Sequence, residues 1–217
     1  MGRFVHDRYY VNETHDDLWV TYGGKPLLIT TDTLPDELVA DFTLRKMWGL
    51  QGSLAEQEWS FLQDAPQNVA MTGDVAEQVS VCVAKQNDYM TNTATATPRN
   101  GGQTFQAQWQ TAFDVHPRVV MLTWWNEWMA QRQADDAEGN VQFVDNYNSG
   151  EYILPHVSRI RSWMDQVFDV IAAEYSRDIE PQDPDQETTN GGKYLDWTQK
   201  YIAAYKNGES MPTDLID

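Results

Sequence analysis

The chain has 217 residues, carries 33 acidic side chains against 15 basic ones, and holds a formal net charge of -18. That balance excludes nucleic acid and anionic membrane surfaces as partners, because no basic patch offsets phosphate or headgroup repulsion. The 41% hydrophobic and 12% aromatic content excludes wholesale disorder, no apolar run is long enough for a bilayer, and a single cysteine, Cys82, excludes an intrachain disulfide.

From the N-terminus, Met1–Asp7 lacks the apolar stretch of a signal peptide, so the chain reads as cytoplasmic by default, or secreted if it belongs to a longer precursor. Asp outnumbers Glu, 21 to 12, a solvated acidic surface that suits high salt. Lys25–Thr30 (KPLLIT) follows a Gly-Gly turn and reads as a buried strand. Phe42–Trp48 and Trp59–Leu62 are weaker strands, and Val79–Ala84 (VSVCVA) is a β-branched one with Cys82 in the core. Phe105, Trp109 and Phe113 recur at helical spacing and predict a helix over Phe105–Phe113.

Val119–Trp125 (VVMLTWW) is the clearest strand, and Val141–Val144 a short one. Leu154–Tyr175 predicts the longest helix, striped by Val157, Ile160, Met164, Val167, Phe168 and Ile171. A polar loop, Pro181–Gly192, leads to a last helix, Lys193–Tyr205, ended by Asn207-Gly208. Residues 1–208 read as one domain and residues 209–217 as a flexible tail. Strands alternating with helices predict an α/β fold of about five or six mainly parallel strands.

The chemistry concentrates in Val119–Arg132, where a hydrophobic strand delivers Trp124, Trp125, Asn126, Glu127 and Trp128 at its C-terminal end. Ligands bind at that end in parallel α/β folds, since loops and helix N-termini converge there. A carboxyl group among indoles is desolvated, which raises its pKa towards the range of a general acid. Indole faces also stack on sugar rings while their N–H groups donate hydrogen bonds.

The Trp-Asn-Glu-Trp strand end resembles the glycoside hydrolase family 99, family 71 and WbsX-like group of sugar-active barrels. Four further stretches, in matching order, are similar to family-99-like proteins: Glu77–Val81, Gln103–Trp109, Phe143–Asn148 and Tyr175–Pro181. The resemblance covers roughly Gly24 to Asn207 and implies the C-terminal part of a (β/α)8 TIM barrel, partial or incomplete, with a helical insertion at 153–173. It implies a glycosidase acting on α-linked glycans, with oligosaccharide or polysaccharide as partner and no cofactor. Glu127 matches the strand-end glutamate, as candidate general acid/base. Where the group has a second glutamate three residues on, this chain has Ala130. Asp145, Asp178 and Glu180 are the candidate replacements, and Tyr147 and Arg177 candidates for positioning hydroxyls or a carboxylate. The plainer reading of Arg177, Asp178 and Glu180 is a loop-tying ionic cluster, and of Asp145 and Tyr147 a turn.

His6, His15, His116 and His156 are scattered without metal-ligand spacing, so no metal site is expected. Three readings compete: a hydrolase centred on Glu127, a non-catalytic glycan binder on the tryptophan platform, and a barrel part completed by a second copy or a complementing half.

Overall fold

The apolar run Lys25–Thr30 forms a strand with the bounds its sequence predicts, and the rest of the described structure grows from it. The computed structural model describes residues 2–12, 16–31, 34–48, 55, 58–86, 96–126, 177–180 and 192–216. The expected strand Val141–Val144 and helix Leu154–Tyr175, with its insertion, lie outside them.

Among the described residues the protein is mixed α/β, with two sheets and several helices. The first sheet runs in the order β1 (Thr21–Tyr22), β2 (Lys25–Thr30), β3 (Thr43–Trp48), β4 (Trp59–Ser60). β1 folds back antiparallel on β2 across Gly23-Gly24, where both residues take a positive φ, whereas β2–β3 and β3–β4 are parallel. The second sheet orders β5 (Ala70–Thr72), β6 (Val75–Val81) and β7 (Val119–Leu122). β5–β6 is a hairpin about Gly73 and β6–β7 is parallel. The sheets are thus mixed, and the antiparallel pairs are the two tight hairpins.

Side chains sew the two sheets together. The Gln78 amide accepts from the Ser60 N–H at 2.9 Å and donates to the Ser60 carbonyl at 2.8 Å, as a neighbouring strand's peptide would. Ser60 and Ser80 hydroxyls meet at 3.0 Å beside it. The result is one curled, half-barrel surface.

Two longer helices pack on the second sheet, and shorter ones lie near the N-terminus. α1 (Gly2–Val5) runs into a π turn at His6–Tyr10, and α2 (Asp36–Val39) is a single turn. α3 (Gln103–Val115) and α4 (Lys193–Asn207) each exceed the predicted helix by two residues at one or both ends. Val79, Val81 and Val83 alternate along β6 and its extension, so their side chains share one face. That face packs on Phe105, Trp109, Ala112 and Phe113 of α3 and on Tyr194, Trp197, Tyr201 and Ala204 of α4. Trp109 stacks on Tyr201 with ring centroids 5.2 Å apart. Gly208 ends α4 in a left-handed conformation, as Asn207-Gly208 predicts.

After Gly208, where a flexible tail is expected, the partly buried Met211, Leu215 and Ile216 pack against the helix cluster.

Candidate functional site

β7 stops at Leu122, three residues earlier than its apolar run suggests. Thr123 donates a last backbone hydrogen bond to the Val81 carbonyl at 3.1 Å, and Trp124 then turns to φ 59°. A bulky residue in the left-handed region is strained, and such strain clusters where chains are shaped for binding or catalysis. Trp124 meets Phe61 edge-on at 5.5 Å, and its indole N–H is buried without a hydrogen-bond partner among the described residues. Trp125 keeps 43% of its surface exposed beside it.

A second segment, Arg177–Glu180, lies along this strand end. The Ile179 N–H donates to the Trp124 carbonyl and the Glu180 N–H to the Trp125 carbonyl, each at 3.0 Å. The Ile179 side chain anchors the segment in the helix core. Its neighbours reach back to β7: the buried Arg177 guanidinium lies 4.5 Å from the Trp124 ring centroid, and the Asn126 amide donates to Glu180 Oε2 at 2.6 Å. Asp178 is buried and gives its carbonyl to Arg99 at 2.6 Å.

Six of the predicted site residues therefore come together: Trp124, Trp125, Asn126, Arg177, Asp178 and Glu180. Glu127, Trp128, Asp145 and Tyr147 lie outside the described residues. The accessible groups, the Trp125 indole, the Asn126 amide and the Glu180 carboxylate, stand beside the stack of Trp124 on buried Arg177 at the C-terminal end of a parallel strand, a set suited to hydroxyl-rich ligands. No family model, curated protein or solved structure matches the chain.

Sequence reasoning missed two polar residues that shape the interior. Glu77 on β6 is fully buried, accepts two hydrogen bonds from Arg45 at 2.6 Å each, and takes others from Trp59 at 2.8 Å and Thr72 at 3.0 Å. Burial raises its pKa, but the hydrogen bonds from Arg45, Trp59, Tyr22 and Thr72 outweigh that and hold it down at about 2. A carboxylate so low carries no proton at neutral pH and is no general acid. Register puts Gln78 opposite Val119, so Glu77 sits a strand-length below Trp124, roughly 20 Å at about 3.3 Å per residue. Arg99, 3% exposed just ahead of α3, is the other.

Elsewhere, His6 bridges Asp7 at 2.7 Å and Asp41 at 3.1 Å. Among the described residues no three His, Cys, Asp or Glu side chains converge where a metal could bind.

Proposed function

We propose that this chain is a sugar-active protein of an incomplete (β/α)8 TIM-barrel type, akin to the family-99-like glycosidase group, holding an α-linked glycan at the end of β7. The observation that carries the reading is the cluster there: Arg177 stacked on a strained Trp124, with Asn126 bonded to Glu180. Exposed Trp125 offers a ring face to a sugar, and the amide and carboxylate offer partners for its hydroxyls. Three parallel strand pairs support the barrel kinship, since their C-terminal ends are where such folds bind ligands.

In the hydrolytic form of this reading, Glu127, adjacent in sequence to Asn126, is the general acid/base, and Glu180 or Asp145 supplies the second carboxyl group. Ala130, in place of the group's second glutamate, favours the alternative of a glycan binder without turnover. Release of reducing ends from α-mannan and α-glucan oligosaccharides separates the two. Hydrolysis lost in Glu127→Gln with binding retained establishes the enzyme. Binding without release over days establishes the binder, and turnover unchanged in Glu127→Gln refutes the assignment of Glu127.

A further inference from the structure

The peptide between Asp178 and Ile179 is gripped from both sides. Its carbonyl accepts from Arg99 Nη2 at 2.6 Å, and its N–H donates to the Trp124 carbonyl at 3.0 Å. Carbonyl and N–H of a trans peptide point in opposite directions within one rigid plane. Whatever orients the carbonyl therefore aims the N–H, and that N–H holds the carbonyl of a residue kept at φ 59°.

Arg99 is well placed to do the orienting. It is 3% exposed, its guanidinium lies 4.1 Å from the Tyr194 ring centroid, and its own carbonyl accepts the Gly102 and Thr104 N–H groups where α3 begins. Its backbone is thus fixed at the start of α3, and its side chain passes the Tyr194 ring of α4 before it reaches the Asp178 carbonyl. A charged donor polarises the peptide it bonds and strengthens the hydrogen bond on the peptide's far side.

We propose that Arg99 is a positioning residue for the β7 strand end, holding the left-handed backbone of Trp124 through the 178–179 peptide, and with it the Trp124–Arg177 stack. The proposal rests on the proposed site for its importance, but its test needs no glycan, so the two can fail separately.

The test is Arg99→Ala, read by amide hydrogen exchange at Ile179 and by fluorine NMR of 5-fluorotryptophan-labelled protein, with Trp124→Phe assigning the Trp124 resonance. The expected result is exchange at Ile179 faster by roughly tenfold or more, the worth of one charge-assisted hydrogen bond, together with a displaced Trp124 resonance. Arg99→Lys, which keeps the charge, should fall between wild type and alanine and serves alone if the alanine variant does not fold. A purely local role on α4 moves only the Trp197 resonance, since Trp197 packs on Tyr194 at 4.9 Å. That outcome, or unchanged exchange at Ile179, overturns the proposal.

Discussion

Glu77→Gln tests the polar interior most sharply, because the side chain keeps its shape but loses its charge and turns one hydrogen-bond-accepting oxygen into a donor. The wild-type carboxylate is fully buried and shifted from an ordinary 4.5 to about 2. At about 1.4 kcal/mol per pKa unit, that difference is worth about 3 kcal/mol of stability at neutral pH. Leaving Arg45, whose side chain is 19% exposed, without its counter-charge puts the loss in the same range, about 3–5 kcal/mol for a broken buried pair. For a chain of this size, ~3 kcal/mol lowers the melting temperature by roughly 6–12 °C. The sign with pH follows from the lowered pKa: the stabilisation is present above about 4.5 and disappears as pH falls towards about 2. Urea unfolding followed by near-ultraviolet circular dichroism at pH 7 and at stepped lower pH reads both quantities. Glu77→Gln should be less stable at pH 7, and the gap should narrow on acidification through that window. An unchanged midpoint at pH 7, or a gap that stays constant to pH 3, would refute the reasoning.

Three further outcomes are expected. Gly102→Ala should cost about 2–4 kcal/mol in urea unfolding, because its Cβ would stand 2.5 and 2.8 Å from the Trp197 ring at φ 107°; Gly101→Ala, with open space around its Cβ, should cost only about 1. His6 should titrate above 6.5 by NMR, raised chiefly by its hydrogen bond to Asp7 and also by Asp41, against a lowering by burial, so Asp41→Asn should bring it down. Its stabilising contribution is complete below about pH 6.5 and fades as pH rises through the folded value, and a titration unmoved in Asp41→Asn would contradict the bridge. Cys82, buried and with its thiol pushed up to about 12, should react with Ellman's reagent at the rate of unfolding; prompt labelling of the native protein would show the strand to be open.

Much of the scaffold is legible because one apolar pattern maps onto one element. KPLLIT is a strand throughout, and the Phe105, Trp109 and Phe113 face is the face buried against α4. Legibility fails where a polar residue is buried by pairing. β6 begins at Val75, before the β-branched run starts, because Glu77 and Gln78 are satisfied by Arg45, Trp59 and Ser60, and periodicity gives no sign of those partners. The hairpin that precedes it rests on one turn at Gly73, with three residues in β5. At the site, the tryptophan-rich strand end and Arg177–Glu180 stand out as motifs. Their union through the 178–179 peptide does not, since Ile179 reaches Trp124, 55 positions away, through backbone groups that no side-chain pattern encodes.

The proposed glycan site at the end of β7 is open to isothermal titration of the wild-type chain with α-mannan and α-glucan oligosaccharides, in low and multimolar salt. Saturable binding of at least one of them is expected, weakened roughly tenfold or more, about 1.4 kcal/mol, in Trp125→Ala and in Asn126→Ala. Folded wild-type protein that binds neither oligosaccharide, or variants that bind as tightly as wild type, would contradict it.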